Sequence, residues 1–428
     1  MNNFEYTKNS DVALTPSEED ITRIKADFAA KRFSEVITAA TVLTERFPAH
    51  EFGWRALGSA SYVKGDVSGA LVATERAVAL SPQPDSRCNL ARLYLHQKEY
   101  DRAMDQCTEA LKETPNLVEA KKLLSNILEL LKRPEVTFKY MSDRVARNPG
   151  DITAHVALAM DDMHHGRLPE ALARFRHALN LGLTYPWVDI PPQAKARFDT
   201  KANIRAFRQT LVSLCADGVQ AFATAGTLLG LERDGRLLSF DKDLDIGVPM
   251  EQMDMACRSM RSKGWSELVH PMSLRSPRSF KHAQLKLFID IFGFEIEKAS
   301  GQLIGGIWSS KIPQSWQRIT DYGTKLALHK TNHHYGEVWE LDDPNDWLTR
   351  IYGDWRTPDP LFDTVISAHN LRNFSLLTES YALMHINKAL LEGSLKKALA
   401  LVRQTKRHLP AEELLQQLEV RLQSIIQG

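Results

Sequence analysis

Apolar and polar positions follow two different rhythms along the 428-residue chain. Up to residue 184 the apolar residues fall into helical blocks closed by proline, and Pro48, Pro82, Pro115 and Pro149 stand 34, 33 and 34 residues apart. Small residues keep fixed places within that period: Ala70 and Ala77, Ala103 and Ala110, Ala171 and Ala178, with Gly65 and Gly166 at the turns. Small side chains let two helices approach closely, glycine permits a reversal, and proline ends the second helix. The pattern predicts about five helical hairpins over 17–184, with a degenerate unit at 119–149, where Ser125, Lys132 and Thr137 replace the expected small residues or turn glycine. The same spacing returns once in Gly393, Ala398 and Pro410, which predicts a further hairpin at the carboxyl end.

Three prolines in TYPWVDIPPQAKARFDT (184–200) break the rhythm. A different pattern follows: a helical stretch from Asn203 to Asp217, an apolar strand from Val219 to Ala225, and a helix starting at Leu228. Next come an alternating strand from Leu238 to Val248 and the apolar strand LKLFIDIFGFE with Asp290 in its middle. The expected organisation is a flexible terminus (1–16), helical repeats (17–184), a linker (185–202), an α/β (α+β) domain (203–362) and a repeat-like helical segment (363–428).

The period and its small-residue slots resemble the tetratricopeptide repeat (TPR). Such hairpins bury their apolar faces only against neighbours, so the resemblance implies an all-α solenoid with a concave surface. That surface is either a scaffold or self-association arm, or a face that binds a peptide or glycan partner.

Composition narrows the function classes. The apolar share is 43% and the charged share 25%, as in an ordinary globular chain. Lys plus Arg is 54 against 53 for Asp plus Glu, so no global field draws the chain to nucleic acid. Four scattered cysteines without a CxxC pair fit free thiols in a reducing cytosol. The polar, acidic start is unlike a signal peptide, and no apolar run approaches a membrane span, so the expected place is cytoplasmic, with peripheral attachment at the inner membrane face as the variant.

Candidate chemistry lies in the second half. Gly226 and Thr227 stand before the predicted helix, where backbone amides welcome phosphate. Period-two geometry puts Asp241, Asp243 and Asp245 on one face of the 238–248 strand, with Lys242 pointing away. Carboxylates side by side repel unless solvated or shared by a hard divalent cation. Asp290, flanked by Ile289 and Ile291, is costly to bury unpaired, and a metal shared with Asp243 and Asp245 would justify it.

This ordered set is similar to the signature of the nucleotidyltransferase fold, and GTLLGLERDGRLLSFDKDLDIG resembles the LicD/fukutin family, with KLFIDIF and DDPNDWLTRIYGDWRTP extending the likeness over about 205–360. Phe240 stands where that family usually has tryptophan, and Lys242 occupies an often acidic position. The resemblance implies a phosphotransferase that moves phosphocholine or an alditol phosphate from a CDP-linked donor to a glycan hydroxyl and releases CMP. It implies Asp243, Asp245 and Asp290 as catalytic residues and ligands of Mg²⁺, with Mn²⁺ as the alternative. Gly226, Thr227, Arg233, Asp241 and Lys286 would face the donor, Arg233 either clamping a phosphate oxygen or pairing with the acids. Lys286 is expected on the strand face of Asp290. Asp290 or Asp241 would take the hydroxyl proton. The rival readings are a nucleotidyltransferase adding NMP to a protein or small molecule, and a non-catalytic TPR adaptor.

His329 and His333 would share a face of a helix, but no third ligand accompanies them, and a solvent-facing or substrate-contacting loop through His334 is the expectation. Trp308, Trp316, Trp339, Trp347 and Trp355 are expected to be mostly core.

Overall fold

The computed structural model describes residues 15–114, 117–131, 134–191 and 197–427, and the chain divides into two compact units between residues 137 and 138. Residues 1–14 of the expected flexible terminus, Pro115 and Lys132 lie outside the described residues. In the first unit the apolar period becomes α1 (Glu18–Ala29), α2 (Phe33–Arg46), α3 (Glu51–Val63), α4 (Val67–Leu80), α5 (Pro84–His96), α6 (Tyr100–Glu113) and α7 (Val118–Leu131). The first six pack pairwise as hairpins. Ala70, Ala77, Ala103 and Ala110 are fully buried where helices meet. A Cβ on Gly58 would stand 2.4 Å from Thr74 Oγ1, so α3 and α4 touch too closely there for any side chain. Gly65 turns the α3–α4 hairpin at a φ of 87°, whereas Lys98 makes the equivalent α5–α6 turn at 62° without glycine.

The boundary between units falls within α8 (Pro134–Arg147), which is followed by the hairpin of α9 (Ile152–His164) and α10 (Leu168–Gly182). The chain then builds the mixed domain: α11 (Lys201–Ala216), β1 (Phe222–Ala223), α12 (Ala225–Asp234), β2 (Leu244–Pro249), α13 (Met253–Ser262), β3 (Ser266–Leu268), β4 (Leu274–Ser276) and β5 (Arg278–His282). It continues with β6 (Leu287–Ile296), β7 (Leu303–Ser309), β8 (Arg318–Asp321), β9 (Leu328–His333), β10 (Gly336–Leu341), α14 (Pro344–Tyr352) and α15 (Thr364–Ser367).

The main sheet runs β1-β2-β6-β5-β3, with β2 and β6 parallel and the other neighbours antiparallel. The far end of β6 pairs with β7, which also carries β4 and β8. One face is apolar at its centre, where Leu244, Ile246, Phe280, Ile289 and Ile291 are buried against Phe207 and Leu211 of α11 and Met253 and Met260 of α13, with the Arg278–Glu267 ion pair towards the β3 edge. At roughly 1.5–3 kcal/mol for each fully buried large side chain, this layer fixes which strand residues face inward. The opposite face is roofed at one end, where Phe222 and Phe294 pack under Leu228 and Leu229 of α12 and Trp347, Leu348 and Ile351 of α14. Its remainder carries Asp245, Asp290, Ser279 and Lys281, alternating with that apolar layer.

Three helices close the chain: α16 (Leu376–Leu391), α17 (Leu395–Lys406) and α18 (Glu413–Gln427). They share one core with the α9–α10 hairpin, in which Phe175 and Leu179 meet Leu383, Ile386, Val402 and Leu418. Asn387 Nδ2 donates to the carbonyl of Phe175 at 3.3 Å, and Arg176 pairs with Glu379 and with Glu412. Ile190 N donates to Gly393 O at 2.8 Å, and Leu395 N to Asp189 Oδ1 at 3.1 Å, so the chain leaving α10 is pinned at the α16–α17 turn. The predicted carboxyl-terminal hairpin thus extends the layers begun by α9 and α10, and the mixed domain is an insertion between two successive hairpins.

Candidate active site

The site begins where β1 ends. Thr224 is extended and caps α12, which starts at Ala225, three residues before the expected Leu228. The Thr224 hydroxyl makes no capping bond; its Oγ1 accepts from Trp347 Nε1 at 3.1 Å, which ties α14 to this turn. Ala225 holds a φ of 44°, a left-handed conformation that costs a non-glycine residue on the order of 1–3 kcal/mol. Among the described residues the amides of Ala225 and Gly226 have no protein acceptor, so the amino end of α12 is open to an anion.

Thr227 is buried and locked to β2: Asp245 N donates to Thr227 Oγ1 at 2.7 Å, and Thr227 N donates to Asp245 Oδ2 at 3.3 Å. Asp245 stands level with Asp290 across the parallel β2–β6 ladder, on one face of the sheet. Gly226 lies beside Asp245 and Asp241, and a Cβ there would sit 3.2 Å from Asp241 Oδ2 and 3.3 Å from Asp245 Oδ2. Any side chain there would make both carboxylates give by a few tenths of an ångström.

Asp241 and Asp243 reach this place differently from the expectation. β2 begins at Leu244, so both lie in the preceding turn and not on an alternating strand; Lys242 between them is exposed. Packing of the turn over α12, seen in the Gly226 distances, gathers the acids where strand periodicity does not.

The electrostatics follow from half-burial without counter-ions. Among the described residues none of Asp241, Asp243, Asp245 and Asp290 pairs with a Lys, Arg or His. Burial pushes the Asp241 carboxyl up to about 6, with repulsion from Asp243 adding to it. Burial also raises Asp290 to about 6, against a hydrogen bond from Ser279 that favours its charged form. Asp243 is raised by burial, and Asp245 is raised well above the ordinary carboxylate range, by burial and then by repulsion from the other three acids.

Two expected donor contacts are placed elsewhere. Arg233, at the far end of α12, bonds its own neighbour Asp234 at 3.1 Å and makes no ion pair to the four acids. Lys286 precedes β6 and sits exposed in the β5–β6 turn at a φ of 54°, off the strand face of Asp290. The cation that the sheet does bring to that face is Lys281 on β5, directly opposite Phe288. The alternation in RSFKH, where buried Phe280 separates Ser279 and Lys281, carries that signal.

Tyr352, from the YGDW motif, is a residue whose role the sequence left open. Burial raises its hydroxyl, and the charges of Asp245 and, more weakly, Asp241 raise it further, while its ring packs on Phe362. Trp308, Trp347 and Trp355 are core, as expected. His329 and His333 lie on β9 of a two-stranded hairpin, not a helix or loop, and meet Asp342 and Glu340 at 2.9 and 2.8 Å.

Among the described residues no three His, Cys, Asp or Glu side chains stand ready-converged as metal ligands. The donor set nevertheless suits a hard divalent cation: oxygen ligands only, partly buried, and uncompensated in charge. Ligation requires the carboxylates to turn together.

Residues 218–315 match the LicD/FKTN/FKRP nucleotidyltransferase domain. The match spans α12, the four acids and β6, and it supports a transferase role for the LicD-type domain. No curated protein matches the chain. Similar solved structures include YrrB, a TPR protein with an unusual peptide-binding site (13% identity, TM-score 0.29, covering 40% of this chain and 88% of that one). Others are MamA (17%, TM-score 0.29, 41% and 100%) and TTC0263, a thermophilic TPR protein in Thermus thermophilus (18%, TM-score 0.25, 39% and 92%). Among the described residues no helix is long and apolar enough to cross a membrane.

Proposed function

We propose that the LicD-type domain transfers a phospho-group, phosphocholine or an alditol phosphate such as ribitol or glycerol phosphate, from a CDP-linked donor to a glycan hydroxyl, releasing CMP. The observation that carries this reading is the pairing of Asp245 with Asp290 beneath the open amino end of α12. It puts an anion-binding helix terminus and an uncompensated acid cluster on one spot.

In this reading the Ala225 and Gly226 amides hold a donor phosphate oxygen, and the Thr227–Asp245 bonds fix the turn. Mg²⁺ or Mn²⁺, held by Asp243, Asp245 and Asp290, supplies charge neutralisation on the diphosphate when bound. The acceptor oxygen forms a bond to the distal phosphorus as the bond from that phosphorus to the CMP oxygen breaks. Asp241, whose pKa of about 6 suits a base near neutral pH, takes the hydroxyl proton, and CMP leaves with the bonding pair. The repeat hairpins then offer a surface for the glycan acceptor or a protein partner.

Incubation with CDP-choline, CDP-ribitol or CDP-glycerol, Mg²⁺ and glycan acceptors is expected to release CMP. Pyrophosphate release from a nucleoside triphosphate, with no CMP from any CDP-linked donor, would replace this reading with NMP transfer.

A further inference from the structure

The site face of the sheet holds more than the acids. β5 and β6 run antiparallel with Ser279 opposite Asp290 and Lys281 opposite Phe288, while Asp290 is level with Asp245 on β2. The face therefore carries two successive rows: Ser279, Asp290 and Asp245 in the first, then Lys281 and Phe288 about 7 Å further along the strands. β2 begins level with Ile289, so the turn carrying Asp243 leaves the sheet beside the second row.

Both members of the outer row are unsatisfied. Phe288 is 45% exposed, although its neighbours Leu287 and Ile289 are 3% and 0% exposed, and no aromatic ring packs on it among the described residues. Lys281 is exposed and has no ion pair among the described residues, whereas Lys263 and Lys330 of the same domain each have one. An exposed ring alone is ordinary surface. Here it stands shoulder to shoulder with a cation that has no ion pair among the described residues, one row from Asp245 and Asp290 on the same face and beside the turn that carries Asp243. That sequence of acid row, cation and flat apolar ring complements a nucleoside diphosphate: metal-bound phosphates, a phosphate charge and a planar base.

We propose that Phe288 and Lys281 form the donor-recognition edge of the site, Phe288 stacking on the nucleobase and Lys281 pairing with a phosphate oxygen. The proposal rests on the phosphotransferase reading above and adds the residues that hold the nucleotide. Lys281 acts as a point charge on a flexible stem and does not fix the phosphate in a fork, so its effect is screened by salt.

The test is a titration of the full-length protein, in Mg²⁺, with CDP, UDP, ADP and GDP, followed by variants titrated with whichever binds the wild type. Phe288→Ala and Phe288→Leu are expected to weaken binding about 10-fold or more, and Phe288→Tyr to leave it unchanged, because stacking needs a ring and not merely an apolar side chain. Lys281→Gln is expected to weaken the nucleoside diphosphate but not the free nucleoside, and the loss should shrink at high salt. Both positions are exposed, so unchanged melting temperatures accompany these losses. Wild-type binding retained by Phe288→Ala, Phe288→Leu and Lys281→Gln would overturn the recognition edge and leave the phosphotransferase reading standing. A wild type that binds none of the four nucleotides would overturn both.

Discussion

Thr227 and Asp245 hold each other by two opposed hydrogen bonds, the hydroxyl of one accepting from the backbone of the other at 2.7 Å while its own amide donates back to the carboxylate at 3.3 Å. The pair joins the first turn of α12 to the start of β2 and sets the position of the carboxylate beside Asp290. Thr227→Val keeps the shape and leaves the Asp245 amide buried without an acceptor, at a cost of about 1–3 kcal/mol. Thermal unfolding should show that loss together with a fall in CMP release, and Thr227→Ser should restore most of both.

Gly226→Ala separates fold from chemistry. The new methyl would crowd Asp241 Oδ2 and Asp245 Oδ2 at 3.2 and 3.3 Å, so the carboxylates must move while the apolar core stays intact. Turnover should fall by about 10-fold or more, as for a positional error near a reacting centre, with little change in circular dichroism. A Gly226→Ala protein with wild-type kinetics would show that the four acids do not act together.

The inserted position of the LicD-type domain predicts that the far end of the chain stabilises the α9–α10 hairpin. Ile386 is fully buried in their shared core. Ile386→Ala should destabilise the second unit by about 2–5 kcal/mol, read by urea unfolding. An effect below about 1 kcal/mol would mean that α16 is dispensable to that core.

A pH dependence arises where the α9–α10 turn meets the mixed domain. His270 stacks edge-on with His164, and its Nδ1 accepts from the Met272 amide at 3.1 Å. Lys311 Nζ bonds the carbonyls of His164 and Pro271, so a further cation faces the pair. Burial, then repulsion from His164, lowers the His270 ring to about 4. Because the unfolded chain takes up the proton near the ordinary value of about 6.5, this contribution is present above that pH and is lost as pH falls from there towards 4. The melting temperature of the second unit should drop between pH 7 and 5, and His270→Gln should flatten the drop.

Much of this was legible in the sequence because close packing permits few residues. The alanine slots of the repeats are fully buried positions, and the period that reveals them also reveals α17 through Gly393 and Ala398. Asp245 and Asp290 were legible because each interrupts an apolar strand. Less legible were features set by tertiary contact. Asp241 and Asp243 join the cluster from a turn whose packing on α12 leaves no period-two mark. Lys286 lay closer than Lys281 to Asp290 in sequence, but the β5–β6 register and a left-handed turn put Lys281 on the site face. Thr224 carries no mark in the sequence, and only the fold shows its hydroxyl oxygen accepting from Trp347 Nε1, 123 residues away.

The most direct measurement of the central claim is CMP release from a CDP-linked donor by wild type and by Asp245→Asn and Asp290→Asn, with and without Mg²⁺. Asparagine keeps the size of each side chain and removes the charge, so folding should persist. Wild type should release CMP only with the cation, and each variant should lose roughly 100-fold or more, the scale seen when one preorganised electrostatic group is removed. Wild-type turnover in either variant, or full turnover without a divalent cation, would contradict the account.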